Sequence, residues 1–224
     1  MMSNPAVPQE ITIEMMRESL YSAVVADALD SLGYKNSSPR IQLRSITNQG
    51  MLVGRCKTTL WTDMAHNDPS PYDLELKAVD SCQPGDVIIA AAGGSMRSGI
   101  WGELLSTASH NSGCIGTIVH GAVRDVDKMK AMGFNVYALG TCVYDSQNRQ
   151  RVVDVDVPVE IEGVVFDSGD LVFADDDGVV VVPKAIEKEA ISAAWAKVHA
   201  ENITRDAIKG GMKATAAYEK FGVL

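Results

Sequence analysis

The feature that most constrains this chain lies between Asp73 and Leu139, where the spacing of the apolar residues changes repeatedly. A helical spacing over Asp73 to Ser81 gives way to Pro84-Gly85-Asp86 and then to the short apolar run VIIAAA. A second helical stretch over 102 to 111 precedes a strand-like run at 115 to 119, and a third over 126 to 132 precedes another at 135 to 139. A 3.6-residue period marks a helix with one buried face, and a short apolar run between turn signals marks a buried strand. Their alternation is the mark of an α/β layer.

The flanks read differently. Residues 1–10, MMSNPAVPQE, read as a loose tail. Met16, Leu20, Val24, Ala28 and Leu32 recur every four residues with Val25 and Leu29 beside them, predicting one continuous helix closed by Gly33. The polar stretch from Tyr34 to Ser45, with Pro39, is a connection, MLVGRCKTTLW suits a strand, and HNDPSPY and GGSMRSG suit a loop and a turn. Further on, VVDVDVPVEIEG and VVFDSGDLVFADDDGVVVVP predict strands joined by tight turns, with Pro158 at an edge or a break. From Pro183 a long helix is expected to about Lys209, burying Ile186, Ala190, Ala194, Trp195, Val198 and Ile203 and stopped by Gly210-Gly211. The tail MKATAAYEKFGVL predicts one more short helix, and the segment 184–224 is expected to pack on a neighbouring subunit. No internal repeat is present, and one domain over 1–224 accommodates all of these elements.

Charge narrows the partners. A net charge of −9 without any basic run argues against nucleic acid, since phosphate binding draws on clustered Lys and Arg. A local basic pocket for a small anion is compatible with it. No apolar run approaches the roughly 20 residues that a membrane span needs. Cys56, Cys82, Cys114 and Cys142 lie far apart without CxxC spacing, and no secretory leader is visible, so a reduced, cytoplasmic protein is expected.

Several stretches invite chemistry. Gly93 to Gly99 has neither GxGxxG spacing nor a Gly-Lys-Ser/Thr ending, so it does not read as a nucleotide loop. It does lead into the helix that starts near Gly102, whose first backbone amides are free to meet an anion. Asp175-Asp176-Asp177-Gly178 superficially suggests a calcium loop, but its flanks LVFA and VVVV make Asp-Gly a hairpin signal. His66, His110, His120 and His199 show no metal-ligand spacing, although His120 is expected close to the pair Arg124-Asp125. That pair has two readings. Asp125 is either a cap for the helix beginning at Val126 or, with Arg124, part of a ligand site beyond the carboxyl end of a strand. If the GELL turn at Gly102–Leu105 converges on it, one pocket gains a guanidinium, two carboxylates and free amides, a combination suited to a metal-bound oxoacid.

The stretch GELLSTASHNSGCIGTIVHGAVRD, with PGD upstream and FADDDGVVVVP downstream, resembles the family that contains 4-hydroxy-4-methyl-2-oxoglutarate aldolase, 4-carboxy-4-hydroxy-2-oxoadipate aldolase and the regulator of ribonuclease E activity. The likeness runs from VADALDSLG to the C-terminal helix. It implies an α/β/β/α sandwich of the swivelling phosphohistidine-domain type, assembled as homotrimers or homohexamers with active sites between subunits. It implies that Arg124 holds the pyruvate portion of a small oxoacid and that Asp125 binds a divalent metal, Mg²⁺ or Mn²⁺. Glu103 would contact metal-bound water, and Gly102 with the amides of Leu104 and Leu105 would receive the substrate carboxylate. Glu201 of a neighbouring subunit would complete the metal shell. Many aldolases carry Asp where this chain has Glu103, and an acidic residue where it has His120. The regulator branch has a neutral residue in place of Asp125, so the resemblance favours a pyruvate aldolase with oxaloacetate decarboxylase side activity. A protein-binding regulator and another lyase, a sugar-acid dehydratase or decarboxylase, are the alternatives.

Overall fold

The computed structural model describes residues 8–223; the first seven residues of the expected tail lie outside them. The expected helix from Met16 to Leu32 is in fact two, α1 (Ile13–Ser19) and α2 (Ser22–Ser31), because Leu20 and Tyr21 are extended. The cause lies elsewhere in the chain. The Asp175 carboxylate accepts the Ser22 amide at 2.8 Å and the Ser22 hydroxyl at 2.5 Å, capping a new helix N-terminus. Both helices bury the same stripe, so the four-residue repeat survives the break, but Leu32 falls beyond it and is exposed.

After β1 (Arg44–Ser45) and β2 (Leu52–Asp63), the alternation legible in the sequence appears as α3 (Asp73–Asp80), β3 (Asp86–Ala91), β4 (Gly99–Trp101), α4 (Glu103–Asn111), β5 (Gly116–Val123), α5 (Val126–Ala131) and β6 (Asn135–Thr141). Next come β7 (Gln150–Val155), β8 (Val159–Ile161), β9 (Val164–Phe166), β10 (Leu171–Ala174) and β11 (Val179–Val182). The main sheet runs β1-β6-β5-β3-β2-β10-β11, with β4 added to β5 and β7 to β2, while β8 and β9 form a separate hairpin. Strands β2, β3, β5 and β6 are mutually parallel. Their carboxyl ends therefore open on one edge of the layer, where ligands of α/β sheets bind.

Two local readings change here. The strand expected at 115 to 119 continues to Val123, through a register shift against β6 between Val119 and Ala122. Arg124 thus follows its strand directly. The turn expected over Gly93–Gly99 releases Gly99 into β4, a three-residue strand too short to show a period.

The strands are buried on both faces. Val87, Ile89 and Ala91 face the inside of the curled sheet with Val172, Val179, Val181 and the hairpin residues Ile161 and Phe166. Ile88, Ala90 and Ala92 point the other way, towards α3–α5, in a cluster with Val79, Met129 and Phe134. Leu171, Phe173, Val180 and Val182 are covered by α1, α2 and the long helix α6 (Glu187–Lys209). A two-residue side-chain period serves three clusters at once. The DDDG turn is the expected hairpin, with Ala174 opposite Val179, and Pro158 lies in the break between β7 and β8. In α6, Ala190, Ala194, Trp195 and Val198 are buried in their own protomer against α2, whereas Ile186 and Ile203 are only half-buried. Ile186 belongs to a preceding 3-10 turn, Lys184–Ile186, and beyond Val198 the stripe passes to Thr204. Helix α7 (Ala214–Phe221) is the expected short final helix. All four cysteines are free thiols, and no described helix is long and apolar enough to cross a membrane.

Candidate functional site

A cavity of about 250 Å³ opens where the carboxyl ends of β5 and β6 meet the first turn of α4. Gly102, Leu104, Leu105, Arg124 and Asp125 line it together with Tyr72, Glu75 and Asp145. The two motifs that bracket a helix and a strand in sequence thus converge in space.

Asp125 decides between the two readings of the RD pair. It occupies the N-cap position of α5, yet its side chain makes no capping bond there. Instead Oδ2 accepts the Glu103 amide at 3.3 Å, across to the start of α4. The backbone supports this by adopting φ 56°, ψ 34°, a left-handed conformation that Asp tolerates better than most residues. Such outliers concentrate at functional sites. Gly102 is required opposite it, because a Cβ there would stand 2.6 Å from Asp125 Oδ2.

The α4 turn is braced from below. Trp101 Nε1 donates to Ser106 Oγ at 2.8 Å, and that hydroxyl donates to the Gly102 carbonyl at 2.9 Å. The helical ladder begins with the Ser106 amide on Gly102 O at 3.1 Å, so the amides of Leu104 and Leu105 precede it and are left for an external acceptor. Leu104 itself is 76 % exposed.

Arg124 is fixed by a second carboxylate. Its Nη2 donates to Asp145 Oδ2 at 2.8 Å, while Nε lies 3.9 Å from Asp125 Oδ2. Burial alone would raise the Asp145 carboxyl, but bonds from the Gln147 amide and the Tyr72 hydroxyl, with the Arg124 guanidinium, hold it below its ordinary range. Burial and the bond to Asp145 push Tyr72 up to about 12. Glu75, on the buried side of α3, is only 7 % exposed, and among the described residues its Oε2 has no hydrogen-bond partner. Burial first and the Asp145 charge second, opposed by Arg124, push its carboxyl up to about 8.

Of the residues singled out from sequence, Gly102, Leu104, Leu105, Arg124 and Asp125 come together. Glu103 contributes its amide, and its carboxylate is not part of the cavity wall. Glu201 lies outside the cavity of its own protomer, accepting the Tyr21 hydroxyl at 2.7 Å between Lys197 and Arg205. His120 is not beside Arg124. Because β5 runs three residues past it, its buried ring lies in a different cavity of about 500 Å³ with Arg40, Glu160 and Glu162, Nε2 being 3.4 Å from Glu162. Tyr72, Glu75 and Asp145 were not found by motif reading. Asp145 follows β6 much as Asp125 follows β5, and Glu75 shares the apolar face of α3 with Ala78 and Val79, an i, i+3, i+4 spacing that should hold no carboxylate. A larger groove, about 1090 Å³, lies between Pro8–Met16 and Lys184–Ser192, but its Arg55 and Glu187 already pair with each other.

The family model described as Aldolase/RraA matches residues 22–181. A protein of Halalkalibacterium halodurans provisionally named 4-hydroxy-4-methyl-2-oxoglutarate aldolase is 29% identical over 209 residues, 93% of this chain and 94% of its own length. Protein DlpA of Legionella pneumophila is 28% identical over 200 residues, 89% of this chain, a match that spans only 32% of DlpA. Among solved structures, Streptomyces coelicolor RraAS2, described as an unusual member of the RNase ES inhibitor RraA protein family, superposes with a TM-score of 0.75 at 28% identity, covering 88% of this chain and 99% of that one. The matched span begins at α2 and ends in β11, taking in every residue of the cavity, and the chain belongs to the RraA-like family.

Proposed function

We propose that this chain is a divalent-metal-dependent lyase that cleaves 4-hydroxy-2-oxoacids, of the 4-hydroxy-4-methyl-2-oxoglutarate or 4-carboxy-4-hydroxy-2-oxoadipate type, to pyruvate and a second oxoacid. The observation that carries this reading is the Arg124 guanidinium, clamped by Asp145 in the same cavity as the unbonded first-turn amides of α4. A 2-oxoacid presents a carboxylate and an adjacent keto oxygen. The Leu104 and Leu105 amides orient the carboxylate, and Arg124 holds fixed positive charge where the enolate develops, with a planar fork that Lys lacks.

The donor set fits a hard cation. Asp125 has a carboxylate only partly committed to Glu103, in a cavity whose nearby donors are all oxygens, and Mg²⁺ is commonly held by one or two carboxylates with water and substrate oxygens. Asp125 would hold it, with Glu201 from a neighbouring copy. The cation would supply Lewis-acid polarisation of the keto and carboxylate oxygens. Glu103, between the cavity-lining Gly102 and Leu104, would hold the water that removes the C4 hydroxyl proton. Oxaloacetate decarboxylation passes through the same enolate and is part of the proposal.

Exposed apolar side chains at the cavity, Leu76 and Leu104, with Val143 and Tyr144 just before Asp145, support closure by another copy in a homotrimer or homohexamer. The finer fold assignment, the swivelling phosphohistidine-domain sandwich, and a cytoplasmic location belong to the same reading. The likeness to RraAS2 favours a second reading, a protein-binding regulator. A coupled pyruvate assay over a panel of 4-hydroxy-2-oxoacids separates the two. Turnover should require Mg²⁺ or Mn²⁺, vanish with chelator and drop by about 10²–10³ in Arg124→Ala. Full activity in that variant, or no pyruvate from any oxoacid, overturns the lyase.

A further inference from the structure

Cleavage leaves the C3 carbon of the departing pyruvate enolate in need of a proton, and a carboxyl group without a partner faces the same cavity. Glu75 projects from the apolar side of α3, beside Ala78 and Val79, into the space lined by Arg124 and Leu104. Its Oε2 is fully buried and makes no hydrogen bond, in a protein whose other cavity carboxylates, Asp125 and Asp145, both accept one. Buried polar atoms are nearly always paired, and an unpaired one beside a binding cavity calls for a partner that arrives with the ligand. The titratable and charged groups around it are Tyr72 and Asp145 on one side and Arg124 and Asp125 on the β5–α5 turn, while α4 meets it with Leu104 and Leu105. Nothing in that ring neutralises an ionised Glu75 except Arg124, which Asp145 already engages.

We propose that Glu75 is a catalytic acid of this cavity, carrying the proton that its carboxyl delivers to C3 of the pyruvate enolate, an inference that rests on the lyase reading. The C4 hydroxyl loses its proton to water, the C3–C4 bond breaks, and its electron pair moves into the C2–C3 enolate. That pair then takes the Glu75 proton to make the methyl group. The hydroxyl proton returns through water to Glu75, so the cycle closes with no other reactant. The raised pKa agrees with a group that is protonated at neutral pH.

The test compares wild type with Glu75→Gln, which keeps shape and neutrality but has no acidic proton. Three quantities are read in the presence of Mg²⁺: binding of oxalate, a planar mimic of the enolate, by calorimetry; pyruvate release; and exchange of pyruvate methyl protons in D₂O by NMR. Glu75→Gln should bind oxalate within about threefold of wild type yet lose about 10²-fold or more in both release and exchange. If it keeps both rates while wild type shows both, the role of Glu75 is wrong and the lyase stands. If wild type shows neither, the lyase reading and this role fall together. Should the variant not fold, the wild-type pH profile decides. Methyl exchange needs the ionised carboxylate as base, so it should climb as pH rises towards a plateau; a flat profile overturns the proposal.

Discussion

Two acidic turns in this molecule look alike on paper and differ in what their carboxylates are left to do. At the β10–β11 hairpin, Asp175 accepts the Ser22 amide and hydroxyl and the Asp177 amide, at 2.8, 2.5 and 3.0 Å. All three donors belong to the chain's own frame, and the carboxylate is committed to starting α2. At the end of β5, Asp125 accepts, among the described residues, only the Glu103 amide, at a longer 3.3 Å, and faces a cavity of about 250 Å³. What separates Asp125 from Asp175 is therefore the capacity left over after the fold has taken its share. Local sequence composition does not report it.

The largest contrast should come from Asp125→Gly. Glycine adopts the left-handed backbone at Asp125 without strain, so the variant is expected to keep or slightly raise its melting temperature. Under the proposed lyase reading, pyruvate release should nevertheless fall by about 10²-fold or more, as for loss of a charge-organising group at a reacting centre. Thermal unfolding and the coupled assay on the same preparation give both readings. An inactive protein that is also strongly destabilised would move Asp125 into the class of Asp175.

How much of this was legible in sequence follows from the range of each interaction. The helix–strand alternation from Asp73 to Thr141 is local, and its period named the layer directly. The GELL turn and the RD pair were found because residues at the carboxyl ends of parallel strands share one edge. Contacts between remote segments were not legible. The break at Leu20–Tyr21 depends on a carboxylate more than 150 positions away, as the 153-residue separation of Ser22 and Asp175 shows. Asp145 and Tyr72 carry no sequence signal for the same reason, since a clamp on Arg124 assembled from two distant loops has no local spacing. Glu75 did leave a trace, a carboxylate on an apolar stripe.

Glu75 sharpens the comparison by a different route, since its carboxyl is committed to nothing. Its pKa in the fold, about 8, lies above its ordinary value of 4.5. The stability associated with the protonated form is therefore complete below about 4.5 and is lost as pH rises through about 8. Glutamine carries no such dependence. Glu75→Gln should be close to wild type in stability at acid pH and more stable above pH 8, by about 2–4 kcal/mol once water entering the open cavity is allowed for. Urea unfolding of both proteins across that range checks the sign. A constant difference at all pH values would mean that the carboxyl ionises freely in the folded state.

The smallest effect belongs to the hairpin. Asp175→Ala removes the acceptor for the Ser22 amide and hydroxyl and leaves the N-terminus of α2 uncapped, which should cost about 1–2 kcal/mol. The loss should be local at first, because the Val24, Val25, Ala28 and Leu29 face is still packed in its cluster. Amide exchange in the first turn of α2 should quicken before the global midpoint moves. Ser22→Ala, which keeps the amide bond to Asp175 and removes only the hydroxyl, should fall between the variant and wild type. Activity per folded molecule should match wild type in both, since neither residue lines the cavity of Arg124. If Asp175→Ala instead lost turnover while its α2 amides stayed protected, the hairpin would have a function that its hydrogen bonds do not account for, and the distinction between the two acidic turns would fail.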